Sequence, residues 1–378
     1  MGPHAPTVDE VRVSPDMAMR HSAWWAAVNL IARLASTMPW HAHVHTDDDI
    51  HERVPEDPQI LAAPSMTQKP AQWRYSLFWS VLTRGNVFGV VTEFDDATFL
   101  PSRIELLHPD EVSVWQRPDR SYDFRVLGTP VERWPVGPLW HMAALQPPGS
   151  IVGMSPVSQA AQAIGVGLQA ERFGAEWFEE GTHPSGILKT ETAVDSETAG
   201  EMKRRFRAAQ QGREIAVLGL GIDYKPIRIS PEESQFLQTI KANIATIARF
   251  FNMPPEILGA ESGGSMTYSN VESRNIDLLT QCVGPWVSWL EDELGALVPG
   301  AQFVRANVKK VLRLDAMTSA RVREVELRNG VMSRNEWRKL DDRPPIEGGD
   351  QYLWPPGRQT VIEADSTGLV NGGDPNGN

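Results

Sequence analysis

Residues 230–268 read SPEESQFLQTIKANIATIARFFNMPPEILGAESGGSMTY. The stretch opens as a helix start. Ser230 suits the N-cap, Pro231 the first helical position, and Glu233 stands where it closes a capping box. Phe236, Leu237, Ile240, Ile244, Ile247, Ala248 and Phe251 then recur at spacings of three and four, one apolar stripe on a helix of about five turns. Pro254 and Pro255 end it. Ala260–Ser269 follows, rich in Gly and Ser and free of Lys and Arg. Ser269 and Glu272 form a second capping box, which opens a helix running to about Leu297. Pro285 lies well inside that helix, removes the bond to the Gln281 carbonyl and predicts a kink. Rod, corner, small loop and second rod make a mechanical layout with no nucleophile, base or ligand set.

On the N-terminal side, Ser155-Pro156 starts another long helix, which Gly181 ends. Between the two long helices come a strand over Gly186–Lys189, a helix over 196–210 capped by Asp195, and a hairpin. The hairpin pairs Glu214–Leu218 with Ile222–Ile229 around Gly219-Leu220-Gly221. The long helices are therefore expected to run antiparallel and to present this insert at one end. Further upstream the pattern mixes helix and strand. A helix is predicted from Ser14 to about Ser36, a strand over Trp40–Thr46, and a helix over Gln72–Arg84 with Gly85-Asn86 as its C-cap. Strands follow over 87–94, 103–107, 111–116, 122–127 and 139–144, up to a boundary at Pro147-Pro148-Gly149. After an extended piece over Phe303–Leu314 come short helices at 316–328 and 333–340, and the chain turns polar from Gly357. The class is α+β.

Composition narrows the chemistry. In 378 residues, 41% are hydrophobic and 22% charged, values of a folded chain, and no apolar run is long enough to span a bilayer. The net charge of −12 argues against a protein that grips DNA through a basic groove. The lone Cys282 excludes an internal disulfide and reads as a buried small side chain. No phosphate-binding loop, dinucleotide fingerprint, serine-hydrolase elbow, zinc-protease or CxxC motif occurs, so no cofactor, metal or enzymatic activity is expected. His41, His43 and His45 share one strand face and are read as an exposed polar face rather than a metal site. Asp47-Asp48-Asp49, Asp95-Asp96 and Asp341-Asp342 fall at turns and are read as solvated turn residues; paired metal carboxylates of a nuclease are the rival reading. Lys203, Arg204, Arg205 and Arg207 form the one cationic feature. Residues 195–229 hold seven Lys/Arg against five Asp/Glu. They are either a solvated face or a surface that docks a partner or faces nucleic acid.

The order and spacing of several segments resemble the portal proteins of HK97-type tailed phages. These are AVNLIARLASTMPWHAHV, LTRGNVFGVV, LLHPDEVSVW, PLWHM, GMSPVSQAAQAI and FEEGTHPSGILKT. GIDYKPIRISPEESQFLQTIKANIATIARFFNMPPEILG with its SNVE, and NEWRKLDDRPPIEGGD, complete the set, which spans about Ser14 to Pro356. The resemblance implies a ring, usually of twelve copies, at one capsid vertex of the virion, with double-stranded DNA passing through its centre. It implies a wing (1–154 and 270–315), two stem helices (155–184 and 230–259) and a clip (185–229). It also implies a tunnel loop (260–269), a compact helical crown (316–356) and a disordered tail (357–378). Implied partners are the terminase large subunit, a head–tail adaptor and the major capsid protein or scaffold, with no membrane. Ser262, Gly263, Gly264, Ser265, Met266, Thr267 and Tyr268 would then face the DNA. A loop without cations releases no counterions and does not hold the strand. A minor capsid or adaptor protein without a channel is a further alternative.

Overall fold

The first predicted helix is broken, and the break sets up the centre of the fold. In the computed structural model, which describes residues 13–46, 51–179, 186–190, 195–211, 222–226, 231–260, 274–308, 316–340 and 343–353, a short α1 (Pro15–Ala18) precedes α2 (Ser22–Thr37). Sequence pattern carries one helix from Ser14 to Ser36. The chain instead turns at His21, whose ring Nδ1 accepts from the Trp24 amide and so caps α2. The buried face of α2 carries Trp24, Ala27, Val28, Ile31, Ala32 and Ala35. It packs on α4 (Pro70–Arg84), where Arg74 Nε donates to the Ser36 carbonyl and the Tyr75 hydroxyl to Asn29 Oδ1, and where Trp73, Leu77, Phe78, Val81 and Leu82 are buried. Gly85 ends α4 in the left-handed region at φ 73°, the C-cap its sequence announces.

Three small antiparallel sheets belong to the same unit as this helix pair. β1 (Trp40–His45) lies between β2 (His51–Arg53) and β11 (Phe303–Ala306). The short helix α3 (Gln59–Ala62) follows β2. The second sheet orders β4 (Pro101–Leu107), β3 (Asn86–Phe94) and β8 (Leu139–Ala143). The third is β5 (Val112–Gln116), β6 (Tyr122–Val126) and β7 (Thr129–Pro130). Phe88, Val112 and Val126 tie the second sheet to the third.

α5 (Pro156–Glu179) leads to β9 (Gly186–Thr190), α6 (Ser196–Gln211), β10 (Ile222–Pro226) and α7 (Pro231–Phe250). β10 pairs antiparallel with β9, Gly186 opposite Pro226; the segment predicted as its hairpin partner, 214–218, lies outside the described residues. Asp195 caps α6 as expected, accepting from the Thr198 amide at 2.8 Å. Ala163, a third of the way along α5, meets Asn243 of α7, and the far end of α5 and the near end of α7 both lead into the paired β9–β10. The two long helices are therefore antiparallel.

The chain divides into two units, Met1–Val311 and Leu312–Asn378. In the second, helices Ala316–Arg328 and Arg334–Leu340 are joined by a turn where Ser333 caps, trading bonds with Glu336.

One expectation is revised in part. His41, His43 and His45 do share a face, but only its end is solvated: His45 is exposed, while His41 and His43 are half-buried. His41 bonds Asp57 at 2.8 Å, and His43 and His45 stack on Phe303 of β11 at 5.8 and 4.6 Å. A neighbouring strand distant in sequence covers part of what the alternation left open. Among the tryptophans, Trp24, Trp40 and Trp73 are buried and Trp25 and Trp115 are half exposed.

Candidate functional site

Two joints hold the long helix pair to the sheets, and both are built from buried polar groups. At the first, α2, α5 and α7 meet. His21 and Asn243 are 2% and 8% exposed. Because His21 Nδ1 accepts from Trp24, Nε2 carries the hydrogen and donates to Asn243 Oδ1 at 2.8 Å. Asn243 Nδ2 donates to the Ala163 carbonyl at 2.8 Å. Gly167 of α5 makes room for this: a Cβ there would overlap the His21 ring and reach Asn243 Oδ1 at 2.5 Å. One turn further, Glu171 accepts from the amide and hydroxyl of Ser22 at the start of α2. Sequence reading passed over all of these. The available signals were a glycine inside a helix and an asparagine on the stripe of Ile240, Ile244 and Ile247.

At the second joint, α4 hands over to β3, and β8 to α5. Asn86 is its hub. Its Oδ1 accepts from the Gly153 amide at 2.9 Å and from His141 Nε2 at 3.1 Å; its Nδ2 donates to the carbonyls of Arg84 and Gly153. Ser155 caps α5 and donates its hydroxyl to the Thr83 carbonyl at 2.9 Å. Backbones press together so closely that a Cβ on Gly85 or Gly153 would overlap main-chain atoms. Arg84, 7% exposed, forms a bidentate pair with Asp110 at 2.6 Å and lies 5.0 Å over the Trp79 ring. Those bonds from Arg84 hold the Asp110 carboxyl below the usual range. The His141 ring stacks on Phe88 at 4.5 Å, and burial pushes its pKa down to about 4. The segments LTRGN, HPDEV, WHM and GMSP, scattered in sequence, thus converge here.

The residues singled out from sequence fall differently. Ser262, Gly263, Gly264, Ser265, Met266, Thr267 and Tyr268 lie outside the described residues. The described residues stop at Ala260, one past Gly259 at φ 87°, and resume at Arg274, which faces Glu256 at 3.7 Å. Lys203, Arg204, Arg205 and Arg207 sit on α6; Arg204 is exposed, and the other three side chains lie outside the described residues. Pro285 is exposed in the first turn of the Gly284–Gly295 helix. The turn before it, Leu278–Val283, is a π-helix in which the Gly284 amide bonds the Leu279 carbonyl. Such a wide turn is the local adjustment that admits a proline inside a long helix. Cys282 is buried within it, its thiol pushed up to about 12 by burial and so unreactive. Asp95 is a turn residue, accepting from Thr98 and Ala97; Asp47, Asp48, Asp49, Asp341 and Asp342 lie outside the described residues. Among the described residues no group of three or more His, Cys, Asp or Glu is placed to hold a metal, and no helix is long and apolar enough to cross a membrane.

The family profile described as phage portal protein matches residues 22–342. The probable portal protein of Streptomyces phage phiC31 is 24% identical over 360 residues, covering 89% of this chain and 78% of that one. The portal protein of Enterobacteria phage HK97 is 22% identical over 359 residues, covering 89% and 82%. Among solved structures, a chain from the neck of a native gene transfer agent particle, computed with C12 symmetry, superposes with a TM-score of 0.59. It is 21% identical and covers 88% of this chain and 94% of that one.

Proposed function

Since the chain belongs to the phage portal protein family, with its α+β portal fold, we propose that copies of it form a ring at one capsid vertex. Double-stranded DNA passes through the ring during packaging and ejection. The terminase large subunit docks on it first and the head–tail adaptor later. The observation that carries this reading is the antiparallel α5–α7 pair, with β9, α6 and β10 at one end. Residues 155–184 and 230–259 act as the stem, 185–229 as the clip, 260–269 as the tunnel loop and 316–356 as the crown. Residues 1–154 and 270–315 make the wing, with the helix through Pro285 as its spine. The twelvefold symmetry of the gene transfer agent neck supports a dodecamer.

The family is structural, and this sequence has no phosphate-binding loop. The energy for translocation therefore comes from a separate ATPase, and the ring has to let DNA slide. A tunnel loop of small neutral residues displaces no counterions, so it adds little friction. Lysines at Ser265 and Thr267 test this: packaging slows or stalls while rings still assemble. Packaging at the unchanged rate refutes the low-friction reading.

A further inference from the structure

We propose that the hairpin joining β3 to β4 is an arm by which one copy holds the next: its tip, Phe94–Phe99, seats on the outer face of β5 and β6, on Trp115, Arg125 and Leu127. The inference rests on the ring reading and names the surfaces that hold neighbouring copies together.

The arm projects, and it is fixed. Every residue from Thr92 to Phe99 is exposed. The Asp95 amide donates to the Leu100 carbonyl at 2.9 Å, and the Phe99 amide to the Asp95 carbonyl at 2.8 Å. The Asp95 carboxylate accepts from the Ala97 and Thr98 amides and from the Thr98 hydroxyl. What this scaffold displays is apolar. Phe94 is exposed beside the loop, and Phe99 is 78% exposed. Phe99 also sits at φ 57°, a left-handed position that disfavours a bulky side chain and suits glycine. Neither backbone preference nor burial within one copy accounts for a phenylalanine there.

A ring needs a second, different surface, because head-to-tail contacts join unlike patches. β5 and β6 offer one. Val112, Val114, Phe124 and Val126 turn inward toward Phe88, so Ser113, Trp115 and Arg125 face outward. Trp115 is 55% exposed, with the Arg125 guanidinium 5.3 Å from its ring centre. Arg117 and Arg125 share one carboxylate, Asp123, at 3.2 Å each, which leaves this face cationic. The turn from β6 to β7 repeats the anomaly of the arm. Its two central residues, Leu127 and Gly128, are both left-handed, a turn that favours Asn-Gly, yet the first is a leucine 72% exposed. Phe99 and Leu127 are the two most exposed large apolar side chains among the described residues, and each belongs to one patch.

Charge matches the patches to each other. Residues 94–100 carry Asp95 and Asp96 and no Lys or Arg. Opposite charge steers and registers such a contact, while Trp, Arg and Phe supply its buried anchor. Two tips repel, which disfavours a symmetric tip-to-tip pair. Within one copy the patches stay apart: the tip begins about 23 Å along β3 from Phe88, and Trp115 faces away from the Phe88 core.

Thiol cross-linking tests the contact, since the native Cys282 is buried. Ala97→Cys in the tip and Ser113→Cys on the face leave every anchor in place. In the double variant a short bis-maleimide should link copies into a ladder on a denaturing gel. Each single variant should stay monomeric on that gel, and a mixture of the two singles should stop at dimers. Phe99→Gly relieves the left-handed strain, so its melting temperature should hold or rise while the concentration needed for assembly rises about tenfold or more. Rings seen by electron microscopy without the ladder, or assembly unmoved by Phe99→Gly, overturn the arm and leave the portal reading standing. A single variant that links to itself replaces the arm with a symmetric contact and overturns it. Neither rings nor ladder overturns both readings.

Discussion

Replacing Gly167 by alanine inverts the usual expectation for a helix. In a free helix interior the change is favourable by about 1 kcal/mol, because glycine loses the most backbone freedom on folding. Here the added methyl overlaps the His21 ring and sits 2.5 Å from Asn243 Oδ1. His21 is held by the Trp24 amide on one nitrogen and Asn243 on the other, so it has no neighbouring rotamer that keeps both bonds. Overpacking costs about 1–3 kcal/mol. Breaking the bond between His21 and Asn243, both buried, adds about 1–3 kcal/mol for the orphaned groups. After the helical gain, the net loss is about 3 kcal/mol. Urea unfolding followed by tryptophan fluorescence measures it, since Trp24 lies 4.8 Å from Phe251 in the same core. His21→Ala, which empties the space, should remove most of the added cost, so the two changes are strongly non-additive. A Gly167→Ala protein that is unchanged or about 1 kcal/mol more stable, or additive with His21→Ala, refutes the packing argument.

Two other perturbations address different parts of the chain. Asp110→Asn leaves the buried guanidinium of Arg84 without its bidentate partner and should cost about 1–3 kcal/mol at pH 7, moderated by the exposure of Asp110. Because Asp110 titrates below its ordinary value when folded, its contribution is present above pH 4 and lost as pH falls further; the variant's acid-unfolding curve should be shallower there, and an unaltered curve rejects the assignment. Reversing Arg204 and Arg205 to Glu separates the two roles of α6: lost motor docking with normal DNA retention supports a partner surface, and the converse outcome supports a DNA entrance.

The sequence made some features legible and hid others for physical reasons. Local chemistry was readable where it is local: Gly85 as a C-cap, Asp195 as an N-cap, the proline corner after Phe251 and the long α5 and α7. The break at His21 was not, because the ring that caps α2 is also claimed by Asn243, more than two hundred residues away. The histidine face of β1 was only partly legible for the same kind of reason, since Phe303, which stacks on His43 and His45, comes from a strand at the other end of the unit. Both joints depend on tertiary pairing of polar groups, which periodicity does not encode. The traces they leave locally are the asparagine on the apolar stripe of α7 and the glycines at 85, 153 and 167, where backbones or rings approach too closely for a side chain. Pro285 announced an irregularity, and the π-turn before it shows the form that irregularity takes.

The central claim, a ring around a passage for duplex DNA, is tested most directly by electron microscopy of the purified full-length protein. The portal reading predicts closed rings of twelve copies with a central opening as wide as duplex DNA. Monomers or open filaments under conditions where the protein is folded, or closed assemblies with no central opening, contradict it.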